Sequence, residues 1–113
     1  MNATTRSEDL AAAIVADPRA RLPLAQRFLA GWFHEDWSDD TPRWQDAVEE
    51  FVATSSRPTV VATLAELRDL STARLDEATL AGVLEQLDCA LVPTGVGLDA
   101  TSWLDAVISL MDR

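Results

Sequence analysis

The chain has 113 residues, of which 48% are hydrophobic and 25% are charged, and these proportions are ordinary for a globular domain. Nineteen Asp and Glu residues against nine basic residues give a net charge of −10 at pH 7. Because contacts to phosphate need clustered cations, this charge argues against direct binding of nucleic acid or of an anionic membrane. A basic protein is the better partner on these grounds, although acidity also serves solubility alone.

The length predicts one domain over residues 1–113, with residues 1–6 as a flexible N-terminus. The single cysteine, Cys89, cannot form an internal disulfide, which is typical of proteins in a reducing compartment. No apolar run has the length of a membrane span, and the short run Leu10–Ala16 follows acidic residues, unlike a signal peptide. We therefore expect a cytoplasmic protein.

Proline and short polar segments divide the chain into stretches with helical periodicity, and no stretch alternates as a strand would. A first helix is predicted from Ser7, as its N-cap, to the residue before Pro18. A second helix is predicted over about Leu24 to His34. Its apolar face consists of Leu24, Phe28, Leu29, Trp32 and Phe33.

A third helix is predicted to begin at Pro42, because proline suits the first helical position, with Asp40 or Thr41 as its cap. Its buried stripe consists of Trp44, Ala47, Val48, Phe51 and Val52. The large aromatic side chains of this stripe are expected in the core.

A fourth helix is predicted to begin near Pro58 for the same reason. Its buried stripe consists of Val60, Val61, Leu64, Leu67 and Leu70 or Ser71. Helical periodicity leaves Glu66, Arg68 and Asp69 facing water.

A fifth helix is predicted to follow Asp76, which suits the N-cap position. Its apolar positions are Leu80, Val83, Leu84 and Leu87. Pro93, Gly95 and Gly97 then indicate a loop. A last helix is predicted from about Thr101, with Trp103, Leu104, Val107, Ile108 and Met111 buried. Five or six short amphipathic helices with short connections predict an all-α fold, a compact single-domain bundle.

The sequence offers little catalytic chemistry. His34 is the only imidazole, and nothing near Cys89 in the sequence would lower the pKa of its thiol, so an inert buried thiol is favoured over a nucleophile. Neighbouring carboxylates such as Glu35 and Asp36 do not face each other on a helix as a catalytic pair would. We predict no catalytic residue, and a structural role for His34, whose ring would interact with the last carbonyls of the second helix.

The acids around His34 also lack a metal-binding pattern. There is no second histidine of a His-Glu-x-x-His motif, and there are no alternating acids with the glycine of a calcium loop. The Pro93–Gly97 stretch lacks the Gly-Lys-Ser/Thr of a phosphate-binding loop. We therefore predict neither a metal site nor a cofactor.

Acidic residues concentrate in residues 35–50, which we call the acidic segment, where seven of sixteen residues are Asp or Glu. Together with Trp37 they have the composition of an electrostatic docking surface with an aromatic anchor for a basic partner. In the alternative interpretation, the acids stabilise the start of the third helix and Trp37 packs on the core. The predicted contact residues are Glu35, Asp36, Trp37, Asp39, Asp40, Asp46 and Glu50.

Two stretches carry a family resemblance, FLAGWFHEDWSDD at residues 28–40 and LDCALVPTGVGLDATSWLDAVISLM at residues 87–111. The first resembles the aromatic-Phe-His-Gln-Asp-Trp signature of helical immunity proteins of bacterial contact-dependent growth inhibition systems, with Glu35 where Gln is commonest. The second is similar to the closing pattern of that family, with Asp88 in place of the usual Gly before Cys89. The order of elements agrees from about Phe28 to Met111.

This resemblance implies a cytoplasmic α-helical antitoxin that binds the C-terminal toxin domain delivered by a neighbouring cell and blocks its active site. Such toxins are often nucleases with a basic cleft, which an acidic surface would occupy in place of the nucleic acid. The implied protein is a toxin inhibitor without catalysis, and a monomer or weak dimer. Two other functions stay open: an acidic helical adaptor or regulator of another basic protein, and a small enzyme with His34 as general base.

Overall fold

Helices form all the regular secondary structure in the part of the chain that the structure describes, so the predicted all-α class is confirmed. The computed structural model describes the backbone of residues 3–40 and 42–113, and the side chains of residues 9–39 and 42–113. Within these residues, eight α-helices and one 3-10 turn follow in chain order. They are α1 (Ala3–Ala16), α2 (Pro18–Arg21), α3 (Pro23–Trp32), α4 (Trp37–Asp40), α5 (Trp44–Thr54), α6 (Arg57–Thr72), α7 (Glu77–Gln86), the 3-10 turn (Pro93–Val96) and α8 (Ala100–Met111).

The first helix begins earlier than its sequence signal. Because α1 starts at Ala3, Ser7 lies inside the helix and its predicted role as N-cap is wrong. No helix-breaking residue precedes Ser7, and serine costs little inside a helix, so the helix extends past it. Met1 and Asn2 lie outside the described residues, and the flexibility of residues 1–6 stays a prediction. Asp17 instead begins α2, where its Oδ1 accepts the N–H of Ala20 at 3.2 Å.

Helix α3 receives its N-terminal cap from a distant helix. Oε1 of Glu66, in α6, accepts the N–H groups of Leu24 and Ala25 at 2.9 and 3.0 Å, which satisfies two donors that a helix N-terminus leaves without partners. The prediction that Glu66 faces water is therefore wrong. The helix ends at Trp32, two residues before the predicted end, because the backbone of Phe33 leaves the helical region with φ −124° and ψ 44°.

Helix α5 begins at Trp44, not at Pro42 as predicted. Arg43 occupies the N-cap position with an extended backbone, φ −130° and ψ 142°, and its side chain makes no capping hydrogen bond. The extended approach brings Trp44 into the core, with its ring 5.9 Å from that of Trp103 between centroids. Burial of this large ring thus decides where the helix starts, against the preference of proline. Arg43 thus holds the N-cap position for which the sequence predicted Asp40 or Thr41, and the side chains of those two residues lie outside the described ones.

The last two helices begin where the sequence predicts, to within a residue. Oδ1 of Asp76 accepts the N–H of Thr79 at 2.8 Å and begins α7. Oδ1 of Asp99 accepts the N–H of Ser102 at 2.7 Å and begins α8. Each cap satisfies a backbone donor three residues ahead, a local pattern by which the sequence predicted Asp76 as a cap, whereas Asp99 was missed.

The core forms where α6 and α8 cross, with α3 packed on α6 and α5 packed on α8. Most of the predicted stripes are confirmed as buried, but Val61 is 51% exposed because it lies beside the inward face of α6. That face is formed by Val60, Thr63, Leu64, Leu67 and Leu70. Burial of each large apolar side chain stabilises the fold by about 1.5–3 kcal/mol.

The dimensions are those of one folded domain. The radius of gyration is 13.6 Å, close to the value of about 13 Å typical of a compact domain of about 100 residues. None of the helices in the described residues combines the length and the apolar character that crossing a bilayer needs.

Candidate functional site

The aromatic side chains beneath the acidic segment form one cluster. The chain has three phenylalanines and four tryptophans, and edge-on or tilted ring contacts connect all of them. Trp103 of α8 lies at its centre, with its ring 5.3 Å from that of Phe33 between centroids. Phe28 of α3 and Phe51 of α5 meet at 4.7 Å. This cluster holds the connection between α3 and α5 against α8.

Backbone hydrogen bonds fix the turn that follows α3. The N–H of Ala90 donates to the carbonyl of Phe33 at 2.7 Å, which joins this turn to the segment after α7. The N–H of Trp37 donates to the carbonyl of His34 at 3.0 Å. Trp37 is also the first residue of α4, a single helical turn that was not predicted from the sequence. The acids of this turn are thus presented by an ordered backbone.

His34 lies in this turn, two residues beyond the end of α3. Its half-buried ring accepts the N–H of Asp36 at Nδ1, at 3.1 Å, and so supports the turn. The predicted contact with the last carbonyls of the helix stays a prediction.

Trp37 contributes to the core from its edge. Its half-buried ring packs edge-on against Phe33, with 6.0 Å between centroids. The interpretation that Trp37 packs on the core is therefore confirmed. Its use as an aromatic anchor for a partner stays a prediction.

The carboxylates of the acidic segment have no internal partners among the described residues. Glu35, Asp36 and Asp39 are exposed in the turn and in α4. Asp46 and Glu50 lie four residues apart on one face of α5, the first half-buried and the second exposed. Asp46 also lies in the first turn of α5, where the helix dipole favours a negative charge. The side chain of Asp40 lies outside the described residues.

Two glutamates in other helices, Glu66 of α6 and Glu77 of α7, cap the N-termini of distant helices, and sequence reasoning missed both. Oε2 of Glu77 accepts the N–H of Ala100 at 2.5 Å, and its Oε1 accepts both the N–H and the hydroxyl of Thr101 at 3.1 Å. Glu77 thus caps α8 as Glu66 caps α3. Both contacts join residues that are far apart in the sequence, so no local pattern predicts them.

Asp88 stabilises the end of α7 through its backbone. It has a φ of 65°, and the N–H groups of Asp88 and Cys89 donate to the carbonyls of Glu85 and Leu84 at 3.0 and 3.1 Å, a Schellman motif. Glycine is favoured at this left-handed position, which explains why the family that the sequence resembles usually has Gly before this cysteine. The carboxylate of Asp88 pairs with the guanidinium of Arg19 at 2.9 Å.

A groove runs along the outer face of α7, and we call it the α7 groove. It consists of two adjoining depressions of about 480 and about 660 Å³, which share Glu85, Cys89 and Ala90. The acidic end, beside the turn after α3, is lined by His34, Glu35, Glu85 and Asp88. The apolar end, beside the 3-10 turn, is lined by Ala78, Ala81, Gly82, Leu91, Val92 and Pro93.

His34 and Cys89 both line the acidic end of this groove, so the structure brings together the pair that a thiol nucleophile would need. Burial raises the pKa of the Cys89 thiol to about 12, and its Sγ contacts the carbonyl of Leu91 at 3.5 Å. The thiol is therefore neutral near pH 7 and is not an activated nucleophile.

Metal-ligating side chains do not cluster in the part of the chain whose side chains are described. No three of its His, Cys, Asp and Glu residues lie close enough together to hold an ion. The exposed acids of the acidic segment are thus arranged as separate surface charges.

These observations define a small all-α protein in which the exposed carboxylates of the acidic segment, as far as their side chains are described, have no internal partner and lie beside an aromatic cluster. The chain belongs to the CdiI immunity protein family, whose profile matches residues 21–111. The resemblance seen in the sequence is therefore confirmed, and the protein is a toxin-neutralising immunity protein of a contact-dependent growth inhibition system. The comparisons found no match among curated proteins or solved structures.

Proposed function

We propose that this immunity protein binds a basic nuclease toxin in the cytoplasm and covers its active site with the acidic segment. In this proposal the protein acts by binding alone, and the contacts come from Glu35, Asp36, Trp37, Asp39, Asp40, Asp46 and Glu50. It binds one toxin domain as a monomer or weak dimer.

The observation that carries this proposal is that the acidic segment is strongly charged and that its described carboxylates make no hydrogen bond or ion pair to another described residue. The carboxylates of Glu35, Asp36 and Asp39 project from an ordered turn, and none of them has a hydrogen bond or ion pair to another described residue. Because these carboxylates make no internal bond that binding would have to break, they can pair directly with cations of a partner.

A nuclease fits this surface because its active site must attract a polyanion. Its cleft therefore carries clustered cations, and an acidic protein can occupy that cleft in place of the nucleic acid. With a net charge of −10, the protein also attracts such a toxin over a distance, which raises the association rate.

The experiment compares two doubly substituted proteins with the same change in net charge. Asp36→Lys/Asp39→Lys alters the acidic segment, and Asp9→Lys/Asp69→Lys alters exposed acids elsewhere. The probe is the cognate toxin domain, to be sought as the C-terminal domain of a large secreted protein in the neighbouring gene and inactivated for purification. We expect the first variant to bind about a hundredfold more weakly than wild type and with a shallower salt dependence. We expect the affinity of the second variant to fall only a few-fold.

Coexpression and nuclease assays complete the test. The wild-type protein should restore growth to cells that express the active toxin domain and should block its cleavage of RNA or DNA. Equal losses for the two variants would overturn the assignment to the acidic segment. A wild-type protein that neither binds nor protects would overturn the proposed function and favour an acidic adaptor of another basic protein.

A further inference from the structure

We propose that the α7 groove is a second contact for the toxin and receives an apolar side chain that neighbours an arginine or lysine. This inference rests on the proposed function, because it concerns the same partner. The apolar side chain would occupy the end beside Val92, and the cation would lie between Glu35 and Glu85.

The apolar end of the groove has room for a large side chain. Ala78, Ala81 and Gly82 place small residues on the outer face of α7, and a Cβ on Gly82 would meet no atom within 4 Å. Val92 forms the opposite wall with 63% of its surface exposed, although it is a large apolar residue. The volume of about 660 Å³ lies within the range of about 300–1,000 Å³ typical of binding pockets.

The acidic end supplies the charge complementarity that defines the occupant. Glu35 and Glu85 have no hydrogen bond or ion pair to another described residue, and both line this end. Asp88, beside them, is partly neutralised by Arg19 and also accepts a hydrogen bond from the amide of Gln26 at 2.8 Å. A cation that enters here would meet two unpaired carboxylates next to an apolar wall, which suits the long apolar stem and charged head of arginine or lysine.

The two ends form one groove because Glu85, Cys89 and Ala90 line both. Glu35 belongs to the groove and also to the acidic segment, so one partner can cover both surfaces. A partner with cations alone would fill the acidic segment but would leave the wall at Val92 exposed to water.

A second copy of this chain is a poorer occupant. Each copy has a net charge of −10, so two copies that met at this groove would bring their acidic ends together. A basic partner gains from the same carboxylates. The groove is therefore assigned to the toxin.

The experiment measures affinity for the same inactivated toxin domain by calorimetry and uses matched pairs of variants. Val92→Ser is compared with Val61→Ser, because Val61 is an exposed valine on α6 outside the groove. Glu85→Lys is compared with Asp69→Lys, an exposed acid of α6. We expect about tenfold weaker binding for each groove variant and at most a twofold change for each control.

Gly82→Leu tests the groove by filling it. Leucine is a better helix former than glycine, and the space above Gly82 is open, so this variant should be at least as stable as wild type. We expect its affinity to fall about tenfold as well. A variant of full stability keeps the inference testable even if Val92→Ser unfolds.

The outcomes separate this inference from the proposed function. If the wild type binds and protects but Gly82→Leu and Glu85→Lys bind as tightly as the controls, the groove is not a toxin contact and the proposed function stands. If the wild type sediments as a dimer that Gly82→Leu dissociates while toxin affinity is unchanged, the groove is a self-interface and the inference is wrong. If the wild type itself fails to bind, the proposed function fails first.

Discussion

Glu66 of α6 and Glu77 of α7 differ from the carboxylates of the acidic segment in the contacts that they make within the chain. Glu66 and Glu77 accept backbone N–H groups of α3 and α8, so they join helices that are distant in the sequence. The carboxylates of Glu35 and Glu50 make no hydrogen bond or ion pair to another described residue. The first group stabilises the fold, and the second group is available to a partner.

This difference follows from where helix N-termini lie. A helix leaves its first N–H groups without intrahelical partners and has a partial positive charge at that end, so a carboxylate placed there gains both hydrogen bonds and electrostatic stabilisation. A carboxylate in an exposed turn has only water as its hydrogen-bond partner. Substitutions in the first group should therefore lower the free energy of unfolding, and substitutions in the second group should lower the affinity for the toxin.

The largest effect on stability is expected for Glu77→Gln. Glu77 uses both of its oxygens as acceptors, so the amide NH₂ of glutamine would face a backbone N–H of α8 and leave it without a partner. We expect a loss of about 2 kcal/mol in the free energy of unfolding, measured by urea denaturation at pH 7. The toxin affinity of the folded variant should stay unchanged.

Two controls sharpen this result. Glu49→Gln, in the acidic segment, should leave the free energy of unfolding unchanged. Glu66→Gln should cost less than Glu77→Gln, about 1 kcal/mol, because Oε1 of Glu66 accepts both of its hydrogen bonds and an amide oxygen can retain them. A larger cost for Glu66→Gln than for Glu77→Gln would contradict the geometry of both caps.

A smaller effect on stability is expected at Asp88, because this residue stabilises the end of α7 through its backbone conformation. Asp88→Ala and Asp88→Gly lose the same exposed ion pair with Arg19, but only alanine has to hold a Cβ at a φ of 65°. The glycine variant should therefore be more stable than the alanine variant by about 1 kcal/mol in urea denaturation. Equal stabilities would show that the left-handed conformation of residue 88 is absent in solution.

The smallest effect concerns acid sensitivity. Hydrogen bonds from Thr79 and Ser102 lower the pKa values of Asp76 and Asp99 below the ordinary 3.8. A lowered pKa in the folded state contributes stability above the unfolded-state pKa and loses it as the pH falls through the folded-state value. Asp76→Asn/Asp99→Asn should therefore lose less stability between pH 7 and pH 3 than wild type. A larger loss of stability in the variant than in wild type over this pH range would contradict the predicted sign.

Local signals in the sequence predicted much of the fold. The N-cap of α7 acts over three residues, and the apolar stripes of α5 and α8 follow helical spacing, so both were predicted without a structure. Contacts across the chain could not be predicted in this way. The hydrogen bonds from Leu24 and Ala25 to Glu66 span 42 and 41 residues, and only the packing of α3 on α6 shows that this acid is not solvated.

The candidate site was predictable in composition but not in arrangement. The density of acids in residues 35–50 is visible in the sequence, whereas the lack of internal partners for the described carboxylates depends on where the surrounding helices lie. Pro42 gave a false helix start because the burial of Trp44 decided the backbone path. The α7 groove has walls from three separate segments, so no single stretch of sequence indicated it.

The aromatic cluster gives the protein an optical reporter of its own. The chain has no tyrosine, so its near-ultraviolet emission comes from its four tryptophans. Trp44 and Trp103 are buried, whereas Trp32 and Trp37 are half-buried at the edge of the cluster, next to the acidic segment. A protein that covers this segment would change the polarity around the outer two indoles and leave the inner two as they are. Capture of a toxin can thus be followed by unlabelled fluorescence titration.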